Sequence, residues 1–436
     1  MKKYFLLWLM IPQLIFSYNV NITLDKLAKI KTFDWNGKTP LSLDNDSASL
    51  YTFVLVNGEE EIPFVKSSGT NADQKNITFS PIVGLTNLSP RAYLKVSNRQ
   101  KKWPFNVRQI KVIWQTNIPK LEIISLSETV THGGSGLMVV KSEPVSNLAM
   151  LAFIDENNTE FYPNIFKKDG YYIILFPWYS DNSSDWSNNS LFVMDKAGNT
   201  NVLIPDIRAK KRTYVQKKII LPENYGQQKA KELNLPEEEA KKLEGNIVAI
   251  NAVLAKQKSF DRWNGTRKTF QENIKYKISD IDMFSNHALP FRNYVVTAGY
   301  GDKRNYFFRN KQVRSSTHRG KDMASTKNSP VYALLDGTVV YADWNRGNGK
   351  TIVLDHGLGV YTFYAHNEKI STKPGDKVNA GQQIAVSGTT GQSTGDHLHL
   401  SVIVQGMYVD PKEWLSKDSI RKLFLQPMWD AALIIE

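Results

Sequence analysis

The sequence contains no cysteine. This excludes disulfides, thiolate metal sites, cysteine nucleophiles and lipid attachment through a cysteine. A chain of 436 residues, 41% of them hydrophobic, can build its cores without such links. Histidine is also scarce: there are seven, and five of them lie between residues 318 and 399. Long apolar runs are missing apart from Tyr4–Phe16, which follows Lys2 and Lys3 and precedes Ser17. That is the pattern of a secretory signal peptide over residues 1–17, too short for a comfortable membrane span. If it stays uncleaved, it serves as a membrane anchor. Acidic residues are outnumbered, 42 to 55, for a formal charge of +13. For an exported chain this argues against nucleic acid and for an anionic cell envelope. Six of the eleven residues of "RAKKRTYVQKK" (Arg208 to Lys218) are basic. A solvated linker explains that cluster equally well.

What is present is mostly β pattern. From Tyr18 to Asp206 short β-branched and aromatic runs ("YTFVLV", "AYLKV", "IKVIW", "LEIISL", "GLMVVK", "AMLAFI", "YYIILF", "LFVMD") alternate with turn residues. The expectation is a β-rich domain over 18–118 and an immunoglobulin-like β-sandwich over 119–207. "DKAGN" (Asp195 to Asn199) predicts a tight turn between the last two strands. A basic and helical linker is expected over 208–284. Within it Leu243, Ile247, Ile250 and Leu254 mark one face of a helix that starts at Pro236. A second β pattern fills 285–416, and 417–436 reads as a helical tail interrupted by Pro427.

The chemistry gathers in that second β region. In "TGDHLHLSV", His397 and His399 alternate with Leu398 and Leu400. On a strand both imidazoles share one face, their Cα atoms about 7 Å apart, while the leucines face a core. Two buried, hydrogen-bonded histidines would fit as well as two functional ones. In "HRGKDMA", His318 and Asp322 are four apart around Gly320, whose lack of a side chain permits a close bend. Imidazole and carboxylate suit Zn²⁺. His318, Asp322 and one histidine of the pair would leave the fourth position open, as in a catalytic site. His366 closes the aromatic strand "YTFYAH" and is a candidate acid or base. His356, before a glycine turn, fits a hydrogen-bonding role in that turn. His132 and His287 carry no assignment.

These motifs resemble the lysostaphin-type, or LytM-type, peptidoglycan metallopeptidases across residues 293–414. "HRGKD" stands for the family's HxGxD, "IVLDHGLGVYTFYAH" for its HG…YxH segment, and "KPGDKVNAGQQIAVSGTTGQSTGDHLHLSV" for its Gly-rich run into HxH; "PVYALLDGTVVYA" and "VDPKEW" complete the order. "GYGDKRNYFFRN" and the "THGGSGLMVVKSE…DKAGNT" region are similar to exported members with immunoglobulin-like domains before the peptidase. The resemblance implies an antiparallel-β peptidase domain with zinc on His318, Asp322 and His399. It implies His397 as general base and His366 as a group that orients the water or stabilises the tetrahedral intermediate. Lys321 and Leu400 depart from the family's usual residues, as does Asn367, but no ligand is missing.

The function so implied is an exported zinc endopeptidase of the periplasm or cell envelope that cuts peptidoglycan stem peptides or cross-links. Peptidoglycan is the expected partner, with other envelope proteins reached through the N-terminal β domains. The alternatives are a non-catalytic wall-binding regulator and a secreted protease acting on Gly-rich proteins.

Overall fold

The computed structural model describes residues 117–183, 185–225, 227, 230, 236–243, 277–393 and 395–435, and before residue 117 the strands of one sheet. The proposed signal peptide and all of the linker helix beyond Leu243 lie outside the described residues. The described part of that helix, Glu237–Leu243, opens on three glutamates and carries a Glu237–Lys241 pair one turn apart. Among the described residues no helix is long and apolar enough to cross a membrane.

The chain is mainly β and divides into two compact units. The first comprises residues 1–121, 142–151 and 192–203. Its eight-stranded sheet is built from segments between Val20 and Trp114. Phe53 lies opposite Val96 and Leu55 opposite Leu94. All four are buried, as period-2 alternation over one covered face requires. The "DKAGN" turn forms as its sequence predicts, with Asp195 Oδ1 accepting the amides of Ala197 and Asn199 at 2.9 and 2.8 Å.

The second unit comprises residues 122–141, 152–191 and 204–436. Its principal sheet contains, in chain order, β1 (Val295–Ala298), β2 (Lys321–Ala324), β3 (Gly337–Trp344), β4 (Lys350–Asp355), β5 (Val360–Asn367), β6 (Lys377–Val378), β7 (Leu398–Val404) and β8 (Met407–Val409). The spatial order is β1-β2-β7-β5-β4-β3-β6, with β8 paired to β7. The pairings within it are antiparallel. Short hairpin connections suit that arrangement, where parallel strands would need long crossovers.

Two registers position the chemistry. Asp322 of β2 pairs with His399 of β7, and His399 also lies opposite Ala365 of β5, one residue before His366. Leu398, Leu400, Val402 and Val404 are fully buried on the other face of β7. Each such side chain contributes roughly 1.5–3 kcal/mol of burial, which fixes which face the histidines take.

One hydrophobic core runs from this sheet into the preceding β segment, joining Leu398, Leu400 and Trp414 to Leu137, Val139, Ile173 and Leu175. Polar contacts reinforce it: the Gln405 side chain donates to the carbonyls of Tyr162 and Leu175 and accepts from the Tyr162 amide. Trp414 stacks on Phe424 at 4.5 Å, fastening the C-terminal helices. At Pro427 the tail changes form: a π-helical turn, Arg421–Leu425, runs directly into the α-helix Gln426–Ile435, whose second residue is Pro427.

Candidate metal centre

Two side chains four residues apart, His318 and Asp322, meet a third 77 residues further on, His399, at β2 and β7. His318 Nε2 lies 3.0 Å from Asp322 Oδ1 and 3.1 Å from His399 Nδ1; His399 Nδ1 lies 2.7 Å from the same Oδ1. His318 precedes β2, and Gly320 makes the bend possible. A Cβ on Gly320 would sit 2.4 Å from the Leu400 carbonyl oxygen and 2.7 Å from His399 Cε1. No other residue type lets the HRGKD segment approach β7 so closely.

Each imidazole is oriented by a second contact. His318 donates from Nδ1 to the Gly299 carbonyl at 2.7 Å, which leaves Nε2 with the lone pair facing the site. His399 Nε2 meets Ser401 Oγ at 2.8 Å, so this ring presents Nδ1 instead. Burial alone would raise the Asp322 carboxyl, but the adjoining His318 and His399 outweigh it and hold it well below the usual carboxylate range. Burial likewise pushes His399 down, opposed by Asp322. Both shifts favour the forms that ligate, a charged carboxylate and a neutral imidazole. Two imidazole nitrogens and one carboxylate oxygen, all within 4.8 Å of one another, suit a divalent metal ion.

The other two histidines lie at the rim of the same site. The His366 ring is 4.8 Å from that of His397 and 5.9 Å from that of His399. His366 adopts φ of 62°, a left-handed conformation that is costly for a residue with a side chain. It donates from Nδ1 to the Thr390 carbonyl at 2.8 Å. Burial, with His399 and His397 beside it, lowers its pKa to about 3. His397 donates from Nδ1 to the Gly395 carbonyl at 2.8 Å, and its Nε2 lies 3.7 Å from Asp322 Oδ1. All five singled-out residues therefore meet in one place.

The remaining histidines lie elsewhere. His356 is buried, donates from Nδ1 to the Asp336 carbonyl, and braces its turn. His132 meets the Asn182 carbonyl and His287 the Trp414 carbonyl. The sequence departures are absorbed locally. Asn367 is buried and donates to the carbonyls of Lys350 and Tyr364; Leu400 is core; Lys321 is partly buried, which lowers its pKa.

One contact was not foreseen. Arg304 Nη2 donates to Asp322 Oδ2 at 3.0 Å. It stands in "GYGDKRNYFFRN", among several basic residues with nothing to single it out. The basic cluster after Arg208 also proves partly engaged: Arg212 pairs with Asp410, and Lys217 with Asp302 at 3.0 Å.

Residues 316–411 match the profile of peptidase family M23. A protein of Buchnera aphidicola described as an uncharacterized metalloprotease is 30% identical over 41% of this chain and 48% of its own length. The peptidoglycan DD-endopeptidase ShyA of Vibrio cholerae is 31% identical over 39% of this chain and 40% of its own. The solved catalytic domain of the antimicrobial peptidase lysostaphin from Staphylococcus simulans is 34% identical, covering 30% of this chain and 98% of that one, with a TM-score of 0.26. The chain spans about half or less of the length of these two curated relatives. With the ordered HRGKD, YAH and HLH motifs brought to one site, the C-terminal domain belongs to peptidase family M23, the lysostaphin- or LytM-type peptidases.

Proposed function

We propose that this protein is an exported, zinc-dependent endopeptidase that hydrolyses peptide bonds in peptidoglycan stem peptides or cross-links. The observation that carries the reading is the convergence of His318 Nε2, Asp322 Oδ1 and His399 Nδ1, with His366 and His397 beside them. His318, Asp322 and His399 would hold the zinc. When bound, zinc supplies a Lewis acid for the scissile carbonyl and makes water acidic enough to attack near neutral pH.

The protein's own groups divide the proton work. His397 keeps its proton on Nδ1, held by the Gly395 carbonyl, so Nε2 accepts a proton from the attacking water. It then returns that proton to the leaving amine. His366 is the poorer base of the two, because burial, with His399 and His397 beside it, disfavours its protonated form. Its Nδ1–H is committed to Thr390, so Nε2 can accept but not donate. In this reading His366 orients the water through Nε2.

Zinc rather than a harder cation is supported by the two imidazoles in the donor set. The name of the Vibrio cholerae relative supports a peptidoglycan cross-link as the substrate bond. The apolar start at Tyr4–Phe16 supports export, and peptidoglycan places the enzyme in the periplasm or cell envelope. The β-rich region ahead of the peptidase domain would engage the wall or other envelope proteins.

The test is digestion of purified wall sacculi with mass spectrometry of the released fragments. New amino termini at a peptide cross-link are expected, and their loss on chelation and return with zinc. Intact sacculi after incubation with the zinc-loaded protein would favour the regulator.

A further inference from the structure

Resting on the metal-site reading, we propose that Arg304 is a positioning residue for Asp322. It occupies Oδ2 so that the carboxylate offers the metal a single oxygen, Oδ1. The two oxygens of Asp322 are already differentiated. Oδ1 is the atom within 2.7 Å of His399 and 3.0 Å of His318. Oδ2 accepts from Arg304 Nη2 at 3.0 Å. Both partners are well sheltered, at 22% and 12% side-chain exposure, so the pair is not a solvent-screened surface bridge. A carboxylate free at both oxygens can close on a metal through two atoms. One tethered by a guanidinium cannot do so without giving up a charge-assisted hydrogen bond. The consequence is one more open coordination position, which a hydrolase needs for water and the carbonyl together.

The segment that carries Arg304 also grips a second ligand. Between Gly299 and Arg304 the backbone takes three hydrogen bonds from or to His318. The ring Nδ1–H goes to the Gly299 carbonyl, the amide to the Asp302 carbonyl at 2.9 Å, and the His318 carbonyl accepts the Gly301 amide at 2.8 Å. Asp302 is buried and holds the turn shut by accepting from the Gly299 amide and pairing with Lys217. Arg304 itself lies in a hairpin, opposite Ser316 on one side and Lys217 of the parallel strand Gln216–Ile220 on the other. Six consecutive residues thus fix the orientation of both His318 and Asp322. The strand from the basic cluster braces them, which gives that cluster a structural task.

The experiment compares the full chain with Arg304→Met and Arg304→Lys after loading with Co²⁺, whose visible absorption weakens as its coordination number rises. Metal affinity is measured in parallel by competition with a chromophoric chelator. The wild type is expected to show the strong absorption of a low-coordinate site. Arg304→Met should lose most of that intensity, with metal affinity changed about 10–100-fold. Arg304→Lys, which can still donate to Oδ2, should recover much of it. Wild-type spectra and affinity in Arg304→Met would overturn the proposal. Should that variant fail to fold, Arg304→Lys against Arg304→Gln decides, and equal spectra in those two overturn it. A wild-type chain that takes up no Co²⁺ or Zn²⁺ would instead overturn the metal site itself.

Discussion

Asp322 and His399 are direct partners across β2 and β7, and their side chains meet at 2.7 Å between Oδ1 and Nδ1. The pair is 77 residues apart in sequence and is brought together by the β2–β7 register. His399→Ala removes one of the three proposed ligands without disturbing the buried leucines on either side. The expected outcome is loss of stoichiometric zinc by elemental analysis and loss of sacculus digestion, with an unchanged far-ultraviolet circular dichroism spectrum. His397→Ala should retain zinc and lose turnover, which separates the ligand from the base.

Gly320→Ala tests the close approach that brings HRGKD onto β7. The added methyl meets the Leu400 carbonyl oxygen, the Ser401 hydroxyl and the His399 ring, all under 3.0 Å. Backbone on one side leaves little room to yield. The variant should be destabilised by about 1–3 kcal/mol, typical of overpacking, and should bind zinc more weakly. Denaturant unfolding and metal titration measure the two effects, and a wild-type value for both would contradict the geometry.

Leu400→Ala probes the opposite face of the same strand. Leu400 is fully buried and pairs with Lys321 and Tyr364. A cost of about 2–5 kcal/mol in unfolding free energy is expected, because the cavity closes only partly. A cost under half a kilocalorie would mean that β7 repacks freely.

Glu413 gives the pH dependence. Desolvation raises its pKa from 4.5 to about 7, although the Ser135 amide opposes the shift. A carboxyl raised on folding binds its proton more tightly in the native state. Its contribution is complete below pH 4.5, fades as pH rises, and is gone above pH 7. One pKa unit is about 1.4 kcal/mol, so the whole effect is on the order of 3–4 kcal/mol. Glu413→Gln stays neutral throughout. Melting temperatures from pH 4.5 to 8 should fall less steeply in this variant, and parallel curves would refute the assignment.

Metal removal gives the last expectation. In the proposed reading zinc binds the folded site and not the separated side chains of the unfolded chain. A free concentration one hundred times Kd therefore adds about 2.7 kcal/mol. Scanning calorimetry should show the melting temperature falling on chelation and returning with zinc. His399→Ala should show no such response.

Much of this was legible in the residues themselves. Period-2 alternation in HLHLSV placed both histidines on one face and both leucines in a core, because a strand leaves no other choice. The ordered motifs identified the peptidase domain. Which histidine of the pair clusters with His318 and Asp322 was not readable from spacing, since both point the same way; the register that sets His399 opposite Asp322 makes the difference. Arg304 was invisible for a related reason. A lone arginine carries no periodicity, and its meaning lies in a carboxylate 18 residues away that only the hairpin's fold brings near.

The amino-acid sequence by itself determined the β class, the buried stripes and the inventory of ligating groups, because these follow from local alternation and side-chain chemistry. Tertiary structure alone decided which nitrogen of each imidazole faces inward, which oxygen of Asp322 faces the histidines and which faces Arg304, and that Leu137 and Ile173 share a core with the peptidase sheet. Those choices depend on hydrogen-bond partners and packing supplied by segments distant in the chain, and no local pattern encodes them.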